Sequence, residues 1–263
     1  MSEIQNPEEL TVEVVDEFIK RRIERGVRPV SVNSSIRHLK TIFKFTVNRG
    51  LLYSNPFASI EFLQERPKEK KVVTLAEEKQ LIEAAENAPQ SKPLNRLRMS
   101  AVIRLAAGAG LRRSEIMNLR WSDINLNTGK IDVKNHDGFR TKNGWDRVTF
   151  IACKEALAIL RKLKDMGLGS KNGQPFYWAD GRHLSDLFKK LKKRAGVNCT
   201  LHDLRRSFVT RLTEAGENTM LIMKLVGHGS VEVTRDHYLG LGEKILREAV
   251  ERAQKHAERA LNA

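Results

Sequence analysis

Apolar residues recur at intervals of three or four through most of this chain, and this spacing is the feature that most constrains its fold. Such spacing places side chains on one face of an α-helix. Near the start of the chain it predicts a helix with the apolar face Val12, Val15, Ile19 and Ile23. A second predicted helix follows Ser31 and stops at Gly50, with the buried stripe Val32, Ile36, Leu39, Phe43 and Val47. The chain therefore begins as a helical domain.

The helical pattern continues in the second half, with one interruption. Further helices are predicted at residues 154–164, 184–194, 201–214 and 220–226. The last amphipathic run follows Gly242 and carries Ile245, Leu246, Ala249, Val250 and Ala253 on one side. Between the helices, two turn sequences, Asn127-Thr128-Gly129 and Asn143-Gly144, each precede a strand candidate, at 130–134 and 145–151. The predicted fold class is mainly α with a small antiparallel β-sheet, in two domains.

A charged, proline-containing segment separates the two predicted domains. The sequence from Gln64 to Lys71 holds no apolar residue, which is typical of a linker. Soon after it, Thr74 and Glu77 have the spacing of a capping box at the start of a helix. We therefore expect a first domain at 1–63, a basic linker at 64–73 and a second domain at 74–263.

Positive charge points to a polyanionic partner. The 263 residues include 47 Lys and Arg against 32 Asp and Glu, a formal net charge of +15. Between residues 20 and 49 there are nine basic residues and a single acid, Glu24. Such a run is either a solvated helix face or a surface for the DNA backbone, and both interpretations stay open. The candidates for DNA contact are Arg37, Lys40 and Lys44, with Arg140 in the second half.

Cysteine usage and hydropathy indicate the compartment. Cys153 and Cys199 are the only cysteines, and neither belongs to a CxxC pair, which fits a reducing compartment and offers no cysteine cluster for a metal. The N-terminal sequence has no apolar signal core, and no run of about 18 apolar residues could span a bilayer. We therefore predict a cytoplasmic protein with no membrane partner, no metal and no cofactor.

The candidate chemistry is carried by six polar residues in the second half, Arg112, Lys142, His202, Arg205, His228 and Tyr238. Guanidinium, ammonium and imidazole groups can neutralise charge that grows on phosphodiester oxygens, and a tyrosine hydroxyl is a nucleophile that needs no metal. Each residue alone also has an ordinary structural interpretation, such as a surface arginine or a hydrogen-bonded core histidine. Together they point to DNA strand cleavage through a covalent phosphotyrosine.

Local sequence suggests how some of these side chains are held. Arg112 follows a glycine-rich break and precedes a short predicted helix at 114–119, with Ser114 as its expected cap. An arginine at such a turn can aim its guanidinium into a cleft. His202 and Arg205 are three residues apart on a predicted helix, so both side chains leave the same face.

In their order along the chain, these motifs resemble the tyrosine recombinase (phage integrase) family of site-specific recombinases. The matching motifs are Ala109-Gly110-Leu111-Arg112-Arg113-Ser114-Glu115, Thr141-Lys142-Asn143-Gly144, Leu201-His202-Asp203-Leu204-Arg205 and Leu225-Val226-Gly227-His228, followed by Tyr238. Asn55-Pro56-Phe57 resembles the end of the family's helical core-binding domain. The resemblance implies a core-type DNA-binding domain at 1–63 and a catalytic domain with a C-terminal helix at 74–263.

The resemblance also implies a reaction through a 3′-phosphotyrosyl intermediate. Tyr238 would attack the scissile phosphate while Arg112 and Arg205 hold its oxygens. His228 would donate to the same oxygens, His202 would accept the tyrosine proton, and Lys142 would protonate the leaving 5′-oxygen. The implied partners are double-stranded DNA core sites and three further copies of the chain in a homotetramer. The helix after Gly242 would either pass to a neighbouring protomer or pack on its own domain.

Several assignments stay open at this level. Tyr238 lies ten residues after His228, one more than the family's usual spacing, which lands on His237. Lys134 and Arg140 compete with Lys142 for the lysine role. Arg206 and Arg211 are interpreted as general phosphate or solvent contacts. The alternative functions are a type IB topoisomerase-like strand transferase, a catalytically inactive DNA-binding accessory or regulatory protein and, more distantly, a metal nuclease.

Overall fold

The computed structural model describes residues 9–64, 70–88, 92–142, 144–167, 173–176, 181–227 and 242–262. The chain divides into two compact units, residues 1–69 and 70–263. None of the helices in the described ranges has the length and apolar composition that a bilayer crossing needs.

The first unit contains helices α1 (Val12–Glu24) and α2 (Pro29–Asn48). Its core consists of Val15, Val32, Ile36, Phe43, Phe57 and Ile60. Helix α2 begins earlier than predicted, because the fixed φ of Pro29 suits the first helical position. Val12 and Ile23 were expected on the buried face of α1, but each is 39% exposed. That prediction is wrong, because the packing of α1 buries Val15 and does not extend to the helix ends.

The chain after α2 folds back onto this helix. The side-chain amide of Asn33 donates to the carbonyl oxygen of Leu63 at 2.9 Å, and its oxygen accepts the Leu63 N–H at 2.8 Å. The Asn55 side chain donates to the Lys40 carbonyl oxygen, and the rings of Phe43 and Phe57 lie 5.1 Å apart. These contacts fix the described chain as far as the start of the predicted linker.

The second unit is mainly helical and is organised around one buried helix. Its helices are α3 (Leu75–Glu86), α4 (Pro93–Gly108), α5 (Arg113–Asn118), α6 (Lys154–Asp165), α7 (Gly181–Arg194), α8 (Leu201–Glu214), α9 (Thr219–Val226) and α10 (Glu243–Asn262). Helix α4 has eight buried residues and packs against α3, α6 and α8. Thr74 and Glu77 form a capping box in front of α3, as the sequence predicts.

A two-stranded antiparallel sheet joins α5 to α6. Strand β1 (Lys130–Val133) pairs with β2 (Arg147–Phe150), so that Val133 lies opposite Arg147. The predicted fold class, mainly α with a small antiparallel sheet, is confirmed. Both strands are shorter than predicted, because Asn135 uses its side chain to bind the loop: it donates to the Gly144 carbonyl oxygen and accepts the Thr141 N–H. These side-chain bonds replace strand pairing beyond Val133.

The last helix, α10, packs on its own unit in this structure. Its residues Leu246, Ala249, Val250 and Ala253 join a hydrophobic cluster with residues of β2, α8 and α9. Arg252 on α10 also forms two hydrogen bonds with Glu217, at 2.7 and 2.9 Å. Ile245 was expected on the apolar side but is 42% exposed. That prediction is wrong, because neighbouring helical positions are about 100° apart and the stripe is centred on residues 246, 249, 250 and 253.

Candidate active site

The glycine-rich break before α5 sets the position of Arg112. Gly110 has a φ of +65°, and a Cβ atom there would lie 2.4 Å from Cδ1 of Phe208, so this position requires glycine. Arg112 occupies the N-cap position of α5, and its backbone N–H donates to Oε2 of Glu115 at 2.7 Å. Ser114, the predicted cap, lies inside α5 instead. That prediction is wrong, because the Glu115 carboxylate satisfies the Arg112 N–H and the helix starts before Ser114.

Three arginines surround the carboxylate of Glu115. Arg147 donates to both carboxylate oxygens at 2.7 Å, and Nη1 of Arg112 donates to Oε1 at 2.8 Å. Nη1 of Arg205 lies 3.7 Å from Oε2. Glu115 is 3% exposed, and burial raises its pKa. The hydrogen bonds from Arg147 and Arg112, together with the charge of Arg147, outweigh burial and lower the pKa of Glu115 to about 2. Three guanidinium charges against one carboxylate leave this arginine cluster with a net charge of +2.

The same three arginines bind the end of α9. The last carbonyl groups of a helix have no partner within the helix, and they form the negative end of its dipole. Here three consecutive carbonyl oxygens each accept a hydrogen bond from a different guanidinium: Leu225 from Arg147 at 3.0 Å, Val226 from Arg205, and Gly227 from Arg112 at 2.7 Å. Segments that are far apart in the sequence therefore converge at the end of α9.

Helix α8 brings Arg205 into the cluster. Thr200 and Asp203 form a capping box that starts α8 just before His202. Arg205 is 2% exposed and also donates to the carbonyl oxygen of Gly110. Burial, followed by the charge of Arg112, lowers the pKa of Arg205 to about 9. The guanidinium is therefore charged at neutral pH, and its charge is only partly compensated by Glu115.

His202 lies beside the arginine cluster at the surface. The residue is exposed overall, although nearby protein atoms shield part of its ring. This partial burial, followed by the charges of Arg206 and Arg205, lowers the pKa of His202 from its usual 6.5. Arg112 contributes in the same direction, so His202 lies within electrostatic reach of both predicted phosphate ligands. Its imidazole is therefore neutral at neutral pH and able to accept a proton.

Lys142 and Arg140 lie in the loop between β1 and β2. Both are exposed, and Lys142 is in the turn that the Gly144 N–H closes on the Thr141 carbonyl oxygen. Within the described part of the chain, Lys142 forms no hydrogen bond or ion pair. Three of the six predicted residues, Arg112, Arg205 and His202, are therefore brought together, whereas Lys142 is held on a separate loop.

The remaining two predicted residues, His228 and Tyr238, lie outside the described residues, as does His237. Gly227 ends α9 with a φ of +62°, in the left-handed region that favours glycine. In the described ranges, no group of three or more His, Cys, Asp or Glu is arranged to hold a metal ion.

The family of the chain follows from its sequence as well as from this geometry. The sequence model of the phage integrase family matches residues 71–244, which include all six predicted catalytic positions. This chain belongs to the phage integrase family. Among curated relatives of the integrase, the tyrosine recombinase XerA of Pyrococcus horikoshii is 31% identical over 248 residues, which cover 90% of this chain and 78% of the relative. The tyrosine recombinase XerD of Rickettsia conorii is 25% identical over 244 residues, covering 86% and 78%. The prediction of a tyrosine recombinase is confirmed.

Solved structures show that the integrase also shares the fold of these enzymes. A Tn1549 transposon integrase in complex with transposon right end DNA has a TM-score of 0.67 at 20% identity, covering 93% of this chain and 86% of that one. A lambda integrase dimer bound to a COC′ core site has a TM-score of 0.65 at 21% identity, covering 85% and 81%. At this level of identity the likeness concerns the fold alone.

In the first unit, two of the three basic residues predicted to contact DNA lie against an aromatic ring. The guanidinium of Arg37 and the amine of Lys40 lie 5.4 and 5.3 Å from the centre of the Phe62 ring. Lys40 also donates to the carbonyl oxygen of Ala58 at 3.2 Å, and Lys44 is exposed. The assignment of these residues to DNA stays a prediction.

Sequence reasoning missed or misread several residues of the integrase site. Glu115 lies three residues after Arg112, a spacing that could have identified it as a helix-capping carboxylate. Arg147 has no local signal, because its partners are 32 and 78 residues away. The interpretation of Arg206 and Arg211 as general phosphate or solvent contacts missed their partners within the protein: Arg206 bonds Asp203 and the Lys71 carbonyl oxygen, and Arg211 forms an ion pair with Glu78.

Proposed function

We propose that this recombinase cleaves and rejoins double-stranded DNA through a 3′-phosphotyrosyl intermediate, using Arg112, Lys142, His202, Arg205, His228 and Tyr238. The observation that carries the proposal is the convergence of Arg112 and Arg205 on Glu115 beside the end of α9, directly before His228. A net charge of +2 suits a phosphodiester, and a pentacoordinate transition state with more negative charge suits it better.

The proposed step exchanges one phosphorus–oxygen bond for another. The phenolic oxygen of Tyr238 attacks the scissile phosphorus, its proton passes to the neutral imidazole of His202, and the bond to the 5′-oxygen breaks. Lys142 gives a proton to that oxygen and leaves a free 5′-hydroxyl. Rejoining reverses the step with a new 5′-hydroxyl, so the phosphodiester energy is kept in the phosphotyrosine. The side chain of Arg112 is 17% exposed, which leaves its guanidinium accessible to a phosphate.

The decisive experiment replaces the nucleophile. DNA recovered with the Tyr238→Phe protein identifies the target, and a nicked suicide substrate with that sequence then traps the intermediate. We expect wild-type protein to form an SDS-resistant protein–DNA adduct, and Tyr238→Phe to bind the same DNA without forming one. His237→Ala is the matched control and should still form the adduct.

Other outcomes would identify a different protein. If Tyr238→Phe still forms the adduct, the nucleophile is another residue. If His237→Ala loses the adduct while Tyr238→Phe keeps it, the nucleophile is assigned to position 237. Binding without any adduct from wild type would favour a DNA-binding accessory protein. Relaxation of supercoiled DNA by a monomer, without exchange between two sites, would favour topoisomerase-like activity.

The finer partner assignments belong to the same proposal. Two duplex sites have four strands, and one protomer cuts one strand, so we propose a homotetramer on DNA core sites in the cytoplasm. Helix α10 would then be exchanged between protomers, keeping the Arg252–Glu217 contact across the interface. Cysteines introduced at Arg252 and Glu217, joined by a thiol crosslinker, test this. Exchange gives covalent multimers on a denaturing gel, and packing within one chain gives monomers.

A further inference from the structure

Arg147 is the first residue of β2 and lies five positions after Lys142. Its side chain is 6% exposed, between the 2% of Arg205 and the 17% of Arg112. All three of its guanidinium nitrogens donate to acceptors within the protein, so the side chain points into the site. A hairpin residue with this orientation connects the loop that carries Lys142 to the interior of the site.

The guanidinium of Arg147 is bound from two sides. Its two terminal nitrogens donate to the two oxygens of Glu115 at 2.7 Å, in the fork geometry that makes arginine–carboxylate pairs directional. Its Nε donates to the carbonyl oxygen of Leu225 at 3.0 Å. Its Cδ atom packs closely on Gly227: a Cβ atom added to Gly227 would lie 2.9 Å from this Cδ. Three elements, β2, α5 and the end of α9, therefore meet at this one side chain.

We propose that Arg147 is a positioning residue: it orients Glu115, and through Glu115 the guanidinium groups of Arg112 and Arg205, and it holds the Lys142 hairpin in register with the end of α9. The proposal rests on the function proposed above. Arg147 itself does not touch the phosphate. It acts because a carboxylate held by a fork on one side presents a fixed oxygen to each arginine on the other.

The charges of the cluster support this role. Glu115 faces Arg112 on α5, Arg147 on β2 and Arg205 on α8. Burial opposes ionisation of this carboxylate, and Arg147 supplies the foremost interaction that lowers its pKa to about 2. Without Arg147 the pKa of Glu115 rises. A protonated Glu115 would accept less strongly from Arg112 and would no longer balance the charge of Arg205.

The test compares Arg147→Gln and Arg147→Lys with wild type in single-turnover cleavage of the suicide substrate. At saturating protein, we expect the cleavage rate of Arg147→Gln to fall about 100-fold, the usual effect of a misplaced catalytic group, while its affinity for DNA is unchanged. Arg147→Lys keeps the charge and loses the fork, so it should recover part of the rate.

Arg211→Gln is the matched control, because it removes another arginine–carboxylate pair, a partly buried one with Glu78 that joins α8 to α3. It should lower the unfolding temperature and leave the cleavage rate intact. If Arg147→Gln does not fold, the saturated cleavage rate of Arg147→Lys decides, because the proposal requires it to lie below that of wild type.

Two results distinguish a failure of the positioning role from a failure of the proposed function. A wild-type adduct together with an Arg147 variant that cleaves at the wild-type saturated rate would overturn the positioning role alone. No adduct from wild type would sink the proposed function, and the role of Arg147 with it.

Discussion

The guanidinium of Arg112 donates to the carbonyl oxygen of Gly227 at 2.7 Å, across 115 residues of sequence. This bond joins the turn that begins the predicted site to the residue that precedes His228. Gly227 also packs against Arg147, so its backbone is fixed by one arginine and its open side is filled by another. The conformation at this glycine therefore sets where the next part of the chain begins.

Gly227→Ala should be more harmful than the same change at another left-handed glycine. Both Gly227 and Gly216 have positive φ, 62° and 77°, so alanine costs about 1–2 kcal/mol of stability at either position. A Cβ atom at Gly216 meets nothing within 4 Å, whereas at Gly227 it displaces Arg147. We expect Gly227→Ala to lose more unfolding free energy in urea than Gly216→Ala does. Only Gly227→Ala should also lose cleavage activity. Equal losses for the two variants would contradict the contact.

Cleavage should depend on the protonation of His202. Partial burial, followed by the charges of Arg206 and Arg205, lowers its pKa, and a general base must be unprotonated. The rate should therefore hold as the pH falls to about 6.5 and decline only below that value. Removing one positive charge in Arg206→Gln raises the pKa of His202 and should move the decline to higher pH. A profile that is the same in His202→Asn would exclude this residue as the base.

The net positive charge of the arginine cluster should create an anion site even without DNA. Inorganic phosphate is expected to raise the unfolding temperature. At a phosphate concentration of 100 times the dissociation constant, the gain in unfolding free energy is about 2.7 kcal/mol. Arg112→Gln should abolish most of the gain. Arg161→Gln, an exposed arginine on α6, is the control for general salt effects and should respond as wild type does. Equal responses from the two variants would mean that phosphate acts through the whole surface.

DNA contacts of the first unit should appear in the salt dependence of binding. Each phosphate contact contributes about 0.9 to the slope of log affinity against log salt concentration. Replacing Arg37 or Lys44 by alanine should reduce the slope by about that amount and weaken binding to all sequences alike. Lys255→Ala, an exposed lysine on α10, should leave the slope unchanged. Slopes that do not distinguish these variants would remove Arg37 and Lys44 from the interface.

Much of the fold could be predicted because it depends on local spacing. Apolar periodicity located α2 and α8 and the last helix, and turn sequences located the hairpin. The errors lie where tertiary packing decides. Val12 and Ile23 fit the apolar face of α1 but lie near its ends, where the core of the first unit does not cover them. The strands end early because the Asn135 side chain binds the loop.

The site was predictable only in parts. His202 and Arg205 share a helix, so their common side follows from helical geometry. The meeting of Arg112 with Gly227 depends on how four elements pack, and no local pattern encodes that. Glu115 was visible in the sequence as a neighbour of Arg112, but its three arginine partners come from α5, β2 and α8.

The three carbonyl groups at the end of α9 make the length of this helix a fixed parameter of the enzyme. Adding or deleting one residue within α9 would rotate its last turn by about 100° and shift it along the axis by about 1.5 Å. All three guanidinium bonds would be broken at once, whatever the identity of the inserted residue. Redesign of this recombinase can therefore vary the side chains outside the buried face of α9 only while the residue count from Asn218 to Gly227 stays the same.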